Sequence, residues 1–216
     1  YIMVSRAHLI DGGWYALSEV PQNVTYGEHS YRKGAVVIHA LRTQLGDSLF
    51  SAGFKRVLTN NAFSDMSTEE LRDSLMAATG LDLQAFFADR ITQPGWASFE
   101  VDSLFSTPDG AGWSTTVHIE QKLRHADHLY TDVPAHLTFE GAGGERFTTP
   151  GTVLLSGAQS VVQSTVPFEP VHAFIDNDAL LSLASTVVED TLQDLGSEIL
   201  GNADLTLLVN ALPSAA

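Results

Sequence analysis

The spacing of apolar residues over the first 95 positions predicts a series of helices. Over residues 31–45 they recur every three or four positions, which is the period of an amphipathic helix, and Gly46 ends that helix. A second helix is predicted from 47 to about 60. Residues 67–70 read Ser-Thr-Glu-Glu, a capping box that begins a third helix, and Asp82 is expected to cap a fourth that ends before Pro94. Short turns between such segments are typical of an all-helical domain.

From residue 97 the period changes to the alternation of apolar and polar residues that predicts strands. Six segments show it or contain short apolar runs between turn residues: 98–101, 115–120, 135–140, 153–155, 161–163 and 171–175. The prediction is an α+β chain of two domains: a helical domain over 1–95 and an antiparallel β-sandwich of about seven strands over 96–216. Within the second, the spacing favours a helix over 180–195 and a strand over 205–209.

Charge and composition limit the partners and the kinds of metal site that the sequence allows. The formal net charge of −15 repels phosphate backbones and anionic lipid, so the sequence predicts no nucleic-acid partner and no binding to a membrane surface. No apolar run is long enough to span a bilayer. The absence of cysteine excludes disulfides and thiolate metal ligands.

Five short motifs occur in register in the helical segment. They are Tyr31-x-Lys33-Gly34-Ala35, Gly46-Asp47 with Phe50 and Phe54, Thr68-Glu69-Glu70-Leu71, residues 79–87 (Thr-Gly-Leu-Asp-Leu-Gln-Ala-Phe-Phe), and Pro94-Gly95. Together they resemble the tyrosine-bearing region of the gluzincin zinc aminopeptidases, the family of aminopeptidase N and leukotriene hydrolase. The strand-rich segment that follows is similar in pattern to the small β-domain after the catalytic domain of these peptidases.

The resemblance implies a peptide substrate and a zinc ion, which the family binds through His-Glu-x-x-His and a further glutamate. No His-Glu-x-x-His occurs in this sequence, so the zinc ligands are expected outside it. We therefore expect a C-terminal piece of a larger aminopeptidase, inactive alone, that packs against the upstream part of the catalytic domain. Family habit and the lack of cysteine favour a bacterial protein that is periplasmic or secreted.

By the same resemblance, Tyr31 is the catalytic residue: its hydroxyl donates a hydrogen bond to the oxyanion that forms when water attacks a peptide carbonyl. Lys33 is interpreted as a structural cation near it. His39, among apolar residues on the same helix, is expected to be a hydrogen-bonded packing residue.

Two alternatives stay open. His125, Asp127, His128 and His136 form the one dense group of potential metal ligands, although the place of residues 124–128 between two strand signals favours a solvated turn. The chain could also be a non-catalytic, peptidase-like module that binds a protein partner through its β-sandwich.

Overall fold

A computed structural model of the protein describes residues 7–175. Its first part is helical. It contains five α-helices, two single 3₁₀ turns and two π turns: α1 (Ala7–Asp11), 3₁₀ turns Leu17–Glu19 and Gln22–Val24, a π turn His29–Lys33 that continues directly into α2 (Gly34–Leu45), α3 (Asp47–Asn60), α4 (Thr68–Thr79), and α5 (Gln84–Phe87), which continues into the π turn Ala88–Thr92.

The helix ends follow the local signals. Ser67 accepts a hydrogen bond from the backbone of Glu70 (3.2 Å), and the Glu70 carboxylate accepts one from the Ser67 backbone (2.8 Å), so the predicted capping box starts α4. Gly80 ends α4 in the left-handed conformation (φ 75°, ψ 6°), and Gly46 separates α2 from α3 at φ 73°. Asp82 accepts a hydrogen bond from Gln84 N (2.9 Å) at the start of α5, as expected.

Helices α2 to α5 bury apolar side chains in a common core. Its buried members are Val37, Ala40, Leu41, Leu45, Val57, Leu75, Leu83, Phe86 and Phe87. The four members from α2 are spaced by one to four residues, so they share the face predicted by the sequence period.

The chain changes from helices to strands at residue 96. The strands are β1 (Trp96–Asp109), β2 (Gly112–Arg124), β3 (Val133–Ala135), β4 (Leu137–Gly141), β5 (Arg146–Thr148), β6 (Val153–Leu155), β7 (Gln159–Val166) and β8 (Pro170–Ile175). They form three antiparallel sheets with the orders β1-β2-β7, β3-β6 and β5-β4-β8 around a second core that includes Phe99, Ile119, Phe139 and Leu155.

The predicted α+β class is confirmed, and the six predicted strand segments fall on strands, except that the segment 135–140 is divided between β3 and β4 at His136. The short strand β5 was not among them because its three residues are too few to show a period. The predicted helix over 180–195 and strand over 205–209 fall outside the described residues. No helix in the part of the chain that the structure describes is long and apolar enough to cross a membrane.

A candidate active-site turn around Tyr31

Tyr31 lies in the middle of the π turn His29–Lys33, where the chain enters α2. Its backbone N–H donates to Gly27 O (3.2 Å), and its side chain is 60% exposed. The ring centroid of Tyr26, which is also exposed, lies 6.3 Å away. Single π turns within helices are frequent at functional sites, and this one presents the Tyr31 phenol at the surface of the described residues.

A buried carboxylate and imidazole lie directly beneath this turn. Asp11, at the end of α1, accepts hydrogen bonds from Glu28 N (2.9 Å) and His29 N (2.8 Å). Its Oδ2 is also 2.7 Å from His29 Nδ1, and the two side chains are only 3% and 2% exposed. The Asp11 carboxylate therefore satisfies two backbone donors at the start of the helix and one ring nitrogen.

The hydrogen bonds fix the tautomer of His29. The backbone N–H of Tyr15 donates to His29 Nε2 (3.3 Å), so this nitrogen is the acceptor and Nδ1 carries the proton that is donated to Asp11. Burial is the largest influence on His29 and lowers its pKa, against the opposing bond from Asp11. Burial also disfavours the ionised Asp11, but the hydrogen bonds from His29 and Glu28 outweigh it and hold the pKa of Asp11 below its usual range. The pair is thus an aspartate anion beside a neutral histidine.

Lys33, the last residue of the turn, is a third buried polar group here. It is 4% exposed, and its Nζ donates to the backbone oxygen of Tyr15 (3.3 Å). Burial lowers the pKa of Lys33 to about 8. These contacts agree with the interpretation of Lys33 as a structural cation.

The expectation for His39 was wrong. Its side chain is exposed on α2, as is the neighbouring Ile38, because the buried face of the helix follows Val37, Ala40 and Leu41. The run of apolar residues around His39 includes exposed positions, so it did not show which face is buried.

The structure does not assemble the candidate ligands of the loop after β2 into a metal site. His125 stacks on Trp14 (ring centroids 4.2 Å apart), whereas His128 Nε2 lies 3.1 Å from Asp89 Oδ1 on the helical part. Among residues 7–175 there is no group of three or more ligand-type side chains placed to hold a metal ion.

The favoured interpretation of this loop as a solvated turn was incomplete. The loop is a turn, but the buried side chain of Gln93 binds it through Asp127 N (2.8 Å) and His128 N (3.0 Å). The loop is therefore a contact between the helical and strand-forming parts of the chain.

Asp11 and His29 were not candidates from the sequence. They are 18 residues apart, and neither belongs to a local motif, since Asp11 reads as part of an Asp-Gly-Gly turn. No signal in the sequence joins them.

Comparison with known proteins gives consistent matches. Residues 17–90 match the Peptidase family M1 domain. A probable aminopeptidase 1 of Sulfurisphaera tokodaii is 28% identical over 88 residues, which are 41% of this chain and 11% of that protein. Aminopeptidase N of Lactococcus lactis subsp. lactis is 32% identical over 66 residues, 31% of this chain and 8% of that protein.

The fold is similar to that of a solved aminopeptidase. The crystal structure of Legionella pneumophila aminopeptidase A in complex with aspartic acid aligns with a TM-score of 0.64 over 79% of this chain and 19% of that chain, at 12% identity. The chain thus spans about a tenth of the length of the two curated relatives and about a fifth of that structure. The resemblance to the M1 aminopeptidases indicated by the five motifs is confirmed: residues 17–90 are similar to the Peptidase family M1 domain, and the fold is similar to that of an aminopeptidase.

Proposed function

We propose that this chain is the C-terminal part of a zinc-dependent aminopeptidase that removes N-terminal residues from peptides, and that Tyr31 stabilises the oxyanion of the tetrahedral intermediate. The observation that carries the proposal is the position of Tyr31. It stands in the family's Tyr-x-Lys-Gly motif, within the matched residues 17–90, and its exposed phenol is on a turn held from beneath by buried polar groups.

A phenol suits this role. It is a neutral hydrogen-bond donor near pH 7, and the bond it donates strengthens as negative charge develops on the carbonyl oxygen during attack by water. The bond is weaker to the neutral carbonyl of the bound substrate, so Tyr31 favours the transition state over the ground state. When the intermediate collapses, the carbon–nitrogen bond breaks, the amine leaves with a proton, and the oxygen regains its double bond in the carboxyl group of the released residue.

The described residues do not fit a catalytic zinc site. The His-Glu-x-x-His motif is absent from the sequence, and the histidines after β2 point to different partners. Zinc, which M1 aminopeptidases generally need, would be held by residues outside this sequence. Consequently we propose that the chain alone is inactive and that its contribution to the reaction is the Tyr31 donor.

The surface around the turn supports packing against an upstream part of the catalytic domain. Leu9 and Ile10 of α1 are 71% and 62% exposed. Tyr26 and Tyr31 are also exposed, and they lie on either side of His29, whose backbone is hydrogen-bonded to Asp11 of α1. An upstream catalytic part would cover such apolar side chains and bring its substrate to the Tyr31 phenol.

The test uses the intact protein that contains this sequence and compares Tyr31→Phe with Tyr26→Phe. Both changes remove one exposed hydroxyl, and the two rings are neighbours, so they differ in the proposed role alone. We expect Tyr31→Phe to lower kcat for an aminoacyl-amide substrate by about 100-fold to 1000-fold, and Tyr26→Phe to leave it within about twofold.

Equal effects of the two substitutions would contradict the role of Tyr31. An intact protein without peptidase activity would contradict the proposed aminopeptidase function and favour the non-catalytic interaction module. Aminopeptidase activity of the isolated chain that Tyr31→Phe abolishes would show that the chain does not need upstream residues.

A further inference from the structure

We propose that Asp11 and His29 are positioning residues for Tyr31. Asp11 caps the beginning of the turn that carries the catalytic phenol, and His29 and Lys33 hold the two sides of that turn through the Tyr15 backbone. This inference rests on the proposed function, because it assigns the two residues a part in the same reaction. Neither residue belongs to the motifs that carry the resemblance.

Asp11 caps the beginning of the turn. The Asp11 carboxylate accepts from the backbone N–H groups of Glu28 and His29, at 2.9 and 2.8 Å, so a residue from another helix caps this one. The capped groups lie three and two residues before Tyr31. Asp11 thereby determines where the helix starts and from which position the phenol projects.

The side chain of His29 joins the turn to two other segments. It donates through Nδ1 to Asp11 and accepts through Nε2 from Tyr15 N, so both of its nitrogens are used inside the fold. A histidine in this arrangement bridges α1 to the loop that contains Tyr15 and is not free to bind a ligand. Its two bonds fix the turn against two other segments at once.

Lys33 holds the other end of the turn. Lys33, two residues after Tyr31, donates to Tyr15 O, while His29, two residues before it, accepts from Tyr15 N. One peptide segment therefore holds the turn on both sides of Tyr31. π turns are rare and persist where the surrounding contacts hold them in place. The two bonds between the Tyr15 backbone and the side chains of His29 and Lys33 are such contacts.

Ring contacts of the neighbouring Trp14 hold Tyr15 in place. The preceding residue, Trp14, is stacked between His8 (3.7 Å) and His125 (4.2 Å), with Trp96 at 5.1 Å. Because His125 and Trp96 belong to the strand-forming part, these contacts set the position of Tyr15 relative to the sheets. The strand-forming part thus contributes to the placement of the phenol, and the motifs give no indication of this contribution.

The close approach of Asp11 also explains a glycine. A Cβ at position 27 would lie 2.7 Å from Asp11 Cγ, and the carboxylate is held by three hydrogen bonds and cannot move without losing them. Gly27→Ala should therefore displace Asp11 and give the same defect as substitution of Asp11.

The experiment has a structural arm on the full 216-residue chain. Backbone hydrogen exchange is measured for Asp11→Asn, His29→Leu and His29→Asn, the last of which keeps a donor for Asp11. The matched controls are Glu140→Gln and Arg146→Met, an ion pair (2.8 Å) between β4 and β5 that is remote in sequence from the turn and from the loop that carries His125. We expect protection of residues 28–33 to fall about tenfold or more in Asp11→Asn and His29→Leu, less in His29→Asn, and to be unchanged in the controls.

The kinetic arm places the same substitutions in the intact enzyme. Misplacement of the phenol should lower kcat by about tenfold while KM stays within about twofold, since a donor that acts in the transition state is displaced and substrate binding is kept. A purely structural role would not give this split between kcat and KM.

The outcomes separate the two proposals. Unchanged exchange of residues 28–33, or equal loss of protection in α4, overturns the positioning role, and so does an active enzyme whose kcat is unaffected by His29→Leu. An intact protein with no peptidase activity in the wild type overturns the proposed function, and the positioning role with it.

Discussion

Gln93 joins the end of the helical part to the loop between β2 and β3, and its replacement by alanine tests whether these parts form one unit. The side chain is 3% exposed. Its Nε2 donates to Asp89 O (2.9 Å) and His128 O (3.3 Å), and its Oε1 accepts from Asp127 N (2.8 Å) and His128 N (3.0 Å). Gln93→Ala removes all four hydrogen bonds.

The magnitude follows from these contacts. Each hydrogen bond contributes a net amount of about 1 kcal/mol, and an unpaired buried group costs about 1–3 kcal/mol. Asp127 and His128 are exposed residues, so water can replace part of what their N–H groups lose. We therefore expect Gln93→Ala to lower the free energy of unfolding by about 2–3 kcal/mol.

Urea denaturation of the 216-residue chain, followed by tryptophan fluorescence, measures this difference. Gln84→Ala is the matched control, because Gln84 is exposed at the start of α5, and it should change the free energy of unfolding by less than about 0.5 kcal/mol. Equal effects of the two substitutions would refute the reasoning, since the network around Gln93 would then contribute nothing to stability.

Three further predictions concern single features. Burial lowers the pKa of Lys33 from 10.5 in the unfolded chain to about 8 in the folded one. Between these pH values the unfolded chain binds more protons than the folded chain. The free energy of unfolding therefore rises with pH across this window, by up to about 3 kcal/mol. Urea denaturation at pH 7.5 and 10 should show this rise in the wild type and a smaller one in Lys33→Met; identical rises would contradict it. Ser67→Ala removes the capping box of α4 and should cost about 1 kcal/mol by the same assay, and no loss would be inconsistent with the two cap bonds. After incubation with excess zinc and desalting, the purified chain should contain almost no zinc by mass spectrometry; a zinc content near one per chain would mean that the residues after β2 form a site after all.

The sequence predicts best what depends on neighbours along the chain. Ser67 and Glu70 are three residues apart, and Gly80 follows the last apolar turn, so the bounds of α4 were predictable from local chemistry. The alternation around Val117 and Ile119 likewise showed which residues of β2 face the core. Tyr31 entered the candidate site through a motif, not through its surroundings.

The remaining features depend on contacts between distant residues. Asp11 and His29 meet because α1 folds back onto the π turn, and no local pattern encodes that return. The loop after β2 was interpreted as solvated because its partners, Gln93 and Asp89, lie about 35 to 40 residues away in sequence. The exposed position of His39 depends on which face of α2 packs, which Val36, Val37 and Ile38 together leave ambiguous. Tertiary contacts therefore decide the support of the site, whereas local signals decide its elements.

The central claim is that Tyr31 stabilises the oxyanion, and the most direct measurement compares the affinities of two ligands for the intact enzyme. A phosphinic analogue of the tetrahedral intermediate and a peptide substrate are compared in the wild type and in Tyr31→Phe. We expect Tyr31→Phe to weaken binding of the analogue by about 100-fold or more, in parallel with kcat, and to change KM of the substrate little. Unchanged affinity for the analogue, or an equal loss for analogue and substrate, would contradict it.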